Sequence, residues 1–350
     1  MSEEKAFKNK VLVFNFILTM LVIYVHSVNI APEVPSQTAL FVYRTEDLLS
    51  NVIGQTAVPG FFMISAYLFF RNCPESPGIG FFINKYKKRA RTLLVPYLLW
   101  NALYLIINIA VMHAELSPSS VLSGIFLYRY NPVFWYMLQL LILTVLTPAI
   151  WLLLSRKPAA AAVCLLMYLL AANYRILPFH IVNEDALFYY SLGAAASLHL
   201  KKYIEKSSNQ RAVYPLIAAS VLLIIFGSSY DELNLYTVIG LRAALPVWIF
   251  TYLSFNASYG FPEFESEMPG FLKIGFFIYA MHFMIVRGLI RVLTAALSAV
   301  GISADSAAGA SMLLIEYLLL PATAAVVSYV IAEVLKRYAP RLYGIITGDR

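Results

Sequence analysis

Charge is what this sequence has least of. Only 13% of its 350 residues are Asp, Glu, Lys or Arg, against 60% hydrophobic, and the mean hydropathy is +0.72. That balance excludes an ordinary soluble globule and indicates a polytopic membrane protein. Cysteine is scarce as well. Cys73 and Cys164 stand alone, so neither a disulfide framework nor a thiolate metal site is readable, and no other metal cluster is expected. There is no internal repeat, low-complexity tract or separate soluble domain, so the chain reads as one integral membrane domain over 1–350. No cleavable leader is expected. The first apolar run is too long for a signal core, and no small-residue cleavage site follows it.

What is present is a series of apolar runs. They fall at roughly 11–30, 48–70, 92–112, 132–154, 159–174, 185–200, 212–228, 235–255, 272–297 and 311–335. A helix needs about 20 apolar residues to cross a bilayer core. The expected fold is therefore an all-α transmembrane bundle of about ten spans, with both termini on one side. Basic residues choose the side. With the termini in the cytoplasm, inner segments hold 20 of the 26 Lys and Arg residues, the bias of the positive-inside rule. The same bias accounts for the net charge of +7 without a nucleic-acid partner.

Ionisable residues inside spans are costly and are read first as functional candidates. His26 lies near the far end of the first run, VLVFNFILTMLVIYVHSVNI. Counted from Lys10, it sits about 24 Å along a helix rising 1.5 Å per residue, in the outer half of the span. Arg242, Arg287 and Glu316 occupy the outer halves of three late spans. They are expected to line a watery cavity or to pair with each other, Arg287 with Glu316 above all. Arg291, Glu184 and Asp185 read as side chains reaching the interface.

Four further stretches stand in order. PGFFMISAYLFF (59–70) lies in the second span and KKRARTLLVPYLLW (87–100) leads into the third. NPVFWYMLQLLILTVLTP (131–148) opens the fourth and IGFFIYAMHFMI (274–285) lies in the ninth. Each alone is ordinary membrane sequence. Together with His26, over nearly the whole chain, they resemble the acyltransferase family 3 of integral membrane acyltransferases.

That resemblance implies transfer of an acyl group, usually acetyl from cytoplasmic acetyl-CoA, to a hydroxyl of a cell-envelope or exported glycan. The setting it implies is the bacterial cytoplasmic (inner) membrane. His26 matches the family's first-span histidine, implying the general base. Arg89 and Arg91, with Lys88 beside them, fall in the basic stretch implied to hold the donor's phosphates. Ser65 and Tyr67 lie in the small-residue motif, where Ala66 replaces the usual glycine. Trp135 matches the fourth-span aromatic, and His282 the histidine after tyrosine in the late span. With Arg287, Glu316 and Arg242, those two are the expected acceptor-binding group. Asn15 stands where the family carries arginine, and Thr92 where its second loop arginine usually falls. Asn15, expected to help bind the donor, can still donate hydrogen bonds but supplies no charge for a phosphate or carbonyl.

The chemistry suits the residues. Neutral histidine accepts a hydroxyl proton near pH 7, and arginine grips phosphate with a planar fork. Two other readings stay open on the sequence. The outer polar cluster would serve a transporter of a polar solute or acyl-glycan, although the repeated halves common in transporters are absent. The replacement at Asn15 would suit a non-catalytic component of glycan assembly.

Overall fold

The computed structural model describes residues 3–30, 37–113, 115–173, 181–205, 235–256 and 267–349. Among these every regular element is a helix. In chain order they are α1 (Glu3–His26), α2 (Gln37–Asp47), α3 (Ala57–Phe70), α4 (Ile79–Arg89) and α5 (Val95–Met112). There follow α6 (Pro118–Phe126), α7 (Trp135–Val145), α8 (Thr147–Leu154), α9 (Lys157–Ala172) and α10 (Glu184–Glu205). The series ends with α11 (Leu235–Asn256), α12 (Gly275–Ala299), α13 (Ala307–Tyr338) and α14 (Pro340–Thr347).

Among the described residues five helical runs are long and apolar enough to cross a bilayer, six if one bent pair counts as a span. They are Glu4–His26, Gln37–Phe70, Ile79–Met112, Gly270–Ala299 and Ala307–Tyr338. The expected seventh span, 212–228, lies outside the described residues. Helices also occupy the expected 159–174, 185–200 and 235–255, but α9 is short, and α10 and α11 fall outside the five long apolar runs.

Two expected spans prove to be the ends of longer helical runs. The chain is already helical from Gln37, passing through a π segment (Leu48–Ile53) and a 3-10 turn (Gly54–Thr56) into α3. It is likewise helical from Ile79, through a π segment (Ala90–Leu94), into α5. Charge lowers hydropathy across α4, yet nothing between Gly78 and Pro96 breaks a helix. Pro96 lacks the N–H that would return to the preceding turn, and the π segment directly before it absorbs the irregularity.

The expected span 132–154 is bent by 64° between α7 and α8. Pro148 explains the bend, since its missing N–H frees the carbonyl of Thr144. Thr147 takes that carbonyl through Oγ1 at 2.7 Å. The Tyr86 hydroxyl, from α4, donates to the neighbouring Val145 carbonyl at 3.0 Å.

The described chain forms two compact units. One is built from Met1–Val58 and Leu241–Val334, the other from Pro59–Ser208, Leu235–Gly240 and Leu335–Arg350. In the first, α1 packs along α12 and against the segment around Gly54. Gly54 allows this approach, because a Cβ there would meet Val25 Cγ2 at 2.7 Å and the Leu21 carbonyl at 3.2 Å. Phe14 and Lys10 of α1 both pack on Phe250, with the Lys10 ammonium 4.3 Å from the ring centre. Ile30, Ala39, Val42, Leu297, Ala310 and Leu313 close an apolar cluster beyond the end of α1.

In the second unit α3 and α10 meet almost backbone to backbone at Gly193, where a Cβ would fall 2.1 Å from the Met63 carbonyl oxygen. Small residues permit such contact between membrane helices. Ser197 Oγ donates to the Tyr67 carbonyl at 3.0 Å. One end of the pair is closed by Glu205, which accepts from the Tyr67 hydroxyl at 2.8 Å and from Arg71 Nε at 2.8 Å and Nη2 at 3.1 Å. The short helix α14 docks on α5 through Trp100 Nε1, which donates to the Ile346 carbonyl at 2.9 Å.

Candidate functional site

The first unit carries the candidate base. His26 is the last residue of α1; Ser27 closes the final turn, its N–H donating to the Tyr24 carbonyl at 3.1 Å and its Oγ to the Ile23 carbonyl at 2.7 Å. The imidazole is half-buried and forms no hydrogen bond with any described residue. It is held by rings instead. Phe283 meets it edge-on with centroids 5.5 Å apart, and His282 lies tilted against it at 5.4 Å.

His282 is completely buried. Its Nδ1 lies 2.6 Å from the Tyr279 carbonyl of its own helix, so the geometry assigns the hydrogen to Nδ1 and leaves Nε2 a bare acceptor. Nε2 has no partner among the described residues. Arg287, further along α12, packs its guanidinium 5.6 Å from the Phe283 ring centre and acts electrostatically on His26. Asn15 lies on the half-buried side of α1, eleven residues before His26. Eleven residues make about three helical turns, so the two share a face roughly 16 Å apart.

Beyond His26 the chain enters a polar knot. The Asn29 backbone N–H donates to Glu46 Oε2 at 3.2 Å. Its Nδ2 donates to Glu316 Oε2 and to the Leu313 carbonyl, each at 2.9 Å. Glu46 is fully buried, and nearby Ser50 Oγ bonds the Tyr317 hydroxyl at 2.8 Å. Among the described residues Glu316 therefore partners Asn29 and forms no ion pair with Arg287, the pairing considered from the sequence. Arg242 is half-buried on α11.

Sequence reasoning missed Asn29 and Glu46. Residues 37–47 looked like an outer loop, and only the mixed polarity of an amphipathic helix could have placed Glu46 inward.

The second unit carries the basic stretch, and the structure divides it. Arg89 turns inward, its Nη2 donating to the Ser65 carbonyl at 3.3 Å, while its other donors have no partner among the described residues. Ser65 Oγ and the Tyr136 hydroxyl are 3.3 Å apart. Tyr136 packs tilted against Phe61 and edge-on against Phe62, and the half-buried Trp135 adjoins Phe62. Tyr190, fully buried, lies within the electrostatic reach of Arg89.

Lys88 and Arg91, three apart on one helical face, point outward, and Arg91 pairs with Asp349 just beyond α14. Arg89 thus faces Ser65 of the small-residue motif, whereas Lys88 and Arg91 do not. Tyr67 has a structural partner in Glu205. Among the described residues no group of His, Cys, Asp and Glu is arranged to hold a metal.

The family model described as "Acyltransferase domain" matches residues 14–333, and the chain belongs to acyltransferase family 3. Its apolar helices and that family make it an integral membrane protein. It is similar to the succinoglycan biosynthesis protein ExoH of Rhizobium meliloti (strain 1021), 29% identical over 180 residues. That match covers 45% of this chain and 46% of the relative, so the chain spans about half the length of the curated protein it matches. No solved structure matches.

Proposed function

We propose that this protein is a membrane O-acyltransferase. It moves an acyl group, read as acetyl, from cytoplasmic acyl-CoA to a hydroxyl of a cell-envelope or exported glycan. The observation that carries the reading is His26, a half-buried imidazole whose nitrogens are taken by no described residue and whose ring is clamped by Phe283 and His282. In the reaction a nitrogen of His26 takes the acceptor hydroxyl proton as the oxygen attacks the thioester carbonyl. The carbon–sulfur bond breaks and CoA leaves as the thiolate, which takes up the proton given back by the His26 imidazolium, so the base returns to its neutral form.

On this reading Arg89, with donors to spare, binds a phosphate of the donor. Lys88 and Arg91 add positive charge at the surface, and Asn15 adds a hydrogen bond. Arg287, Glu316, Arg242 and Trp135 are proposed to receive the acceptor. The relative's name refers to succinoglycan biosynthesis, which favours a polysaccharide acceptor. The basic residues of the inner segments support cytoplasmic termini in the bacterial cytoplasmic membrane.

Release of free CoA, measured with a thiol reagent on protein purified in detergent with acetyl-CoA and a hydroxyl-bearing oligosaccharide, tests the reading. Acceptor-dependent release, lost in His26→Ala at equal abundance, is expected. Absence of release with every acyl-CoA tried would favour a transporter or a non-catalytic assembly component. Substantial turnover by His26→Ala would remove the base.

A further inference from the structure

A general base of this kind needs its ring fixed, so that the correct nitrogen is bare when the substrate arrives. His26 has no carboxylate or carbonyl to do this, since it forms no hydrogen bond with a described residue. Behind it lies a second imidazole with the opposite problem. His282 is entirely enclosed, its Nδ1 hydrogen is committed to the Tyr279 carbonyl, and its Nε2 is a buried acceptor without a donor. Buried polar atoms of that sort are rare and call for an explanation. Two rings pack against it, that of Tyr279 on its own helix at 5.9 Å and the His26 imidazole of α1 at 5.4 Å between centroids. The two nitrogens do not bond in this structure; at that ring separation a turn of the His26 ring would bring one of its nitrogens to roughly 3 Å from Nε2, hydrogen-bond distance.

We propose that His282 is the positioning residue for His26. With the His26 ring turned toward it, as in the reacting complex, Nε2 accepts the N–H of one His26 nitrogen, so the other nitrogen is left bare toward the acceptor hydroxyl. The bond strengthens when His26 becomes imidazolium, because a charged donor binds a neutral acceptor more tightly. His282 therefore acts from beneath His26 and does not touch the acceptor.

This assignment rests on His26 being the base. It also explains why position 282 carries an imidazole in particular. A ring with one committed nitrogen and one free one spans from the Tyr279 carbonyl to His26, and no aliphatic or phenyl side chain could do both. Among the described residues, the titratable groups that the packed helices bring to this end of the unit include Arg287 and Tyr279 of α12. With them are Tyr24 of α1, Glu46 of α2, and Glu316 and Tyr317 of α13. Of these, Arg287 acts on His26 electrostatically, whereas Glu46 and Glu316 are bonded to Asn29.

Two substitutions separate positioning from mere packing. His282→Asn keeps a donor for the Tyr279 carbonyl but removes the acceptor that faces His26. His282→Gln extends an amide to the Nε2 position. Acceptor-dependent CoA release is measured against pH for both, with melting temperature and the KM for acetyl-CoA on the same preparations.

His282→Asn is expected to melt near the wild type and to keep its KM, with kcat down by about 10²-fold, the scale of acid–base assistance. The acid limb of its pH profile should move to lower pH, since the His26 imidazolium has lost its acceptor. His282→Gln should recover part of the rate. Wild-type kcat and an unmoved acid limb in His282→Asn would overturn the proposal if His26→Ala is inactive. So would a rate loss that merely follows melting in both variants. Full turnover by His26→Ala would overturn the base assignment itself, and the positioning role with it.

Discussion

Gly193→Ala adds a single methyl group where α3 and α10 meet almost backbone to backbone. Its Cβ would lie 2.1 Å from the Met63 carbonyl oxygen and 2.7 Å from the Met63 carbonyl carbon and Cα. Ordinary carbon–oxygen contacts begin at about 3.3 Å, so α3 and α10 must part by about 1 Å. Overpacking of this kind costs about 1–3 kcal/mol. The upper part of that range applies, because the obstacle is backbone and cannot swing aside. Ala gains about 1 kcal/mol over Gly in a helix interior, leaving a net loss of roughly 1–2 kcal/mol. The Ser197 bond to the Tyr67 carbonyl, at 3.0 Å, would stretch with the same movement.

Thermal unfolding in detergent is the assay, with Gly80→Ala as the control. A Cβ at Gly80, in α4, meets nothing within 4 Å. The control should be neutral or slightly stabilised, and Gly193→Ala should melt several degrees below it. Equal melting of the two variants would refute the contact argument.

Three other outcomes are expected. Arg89→Lys should raise the KM for acetyl-CoA about tenfold, the loss of one charge-assisted bond, whereas Arg91→Ala should change it less than twofold; initial rates at low and high salt check both. Burial works against ionisation of Glu205, but the bonds from Arg71 and Tyr67 prevail and hold its carboxyl below the usual 4.5. Its stabilising contribution is therefore complete above that value and lost as pH falls through the lowered one, so wild type and Glu205→Gln should differ in melting at neutral pH and converge in acid. Gly348 adopts φ +67° with a would-be Cβ 2.7 Å from Thr92 Cα, so Gly348→Ala should release α14, read as increased fluorescence sensitivity of Trp100 to an aqueous quencher.

Much of the first unit was legible in the sequence. An ionisable residue in an apolar run marked His26, and the family resemblance marked His282. Their ring contact was not legible, because it depends on how α1 lies along α12. Helix edges were the weakest reading. Hydropathy treats charge as loop, so it cut α4 away from α5 and left Glu46 outside the membrane run that contains it. The bend at 64° was foreshadowed by Pro148, yet the run looked continuous because its side chains stay apolar on both sides. The basic stretch read as one surface in the sequence. Helical geometry sends Arg89 inward and Lys88 and Arg91 outward, and only the folded chain displays that division.

The hydroxyl of Tyr86 holds the elbow between α7 and α8, and Tyr86 stands three residues before Arg89 on the same helix. The two side chains are thus mounted almost one above the other on a single rod. Rolling that rod to carry Arg89 elsewhere would draw the Tyr86 hydroxyl off the Val145 carbonyl, at a cost of about 1 kcal/mol. The elbow and the arginine are therefore tied to one helix, and a change in the bend would be felt at the guanidinium.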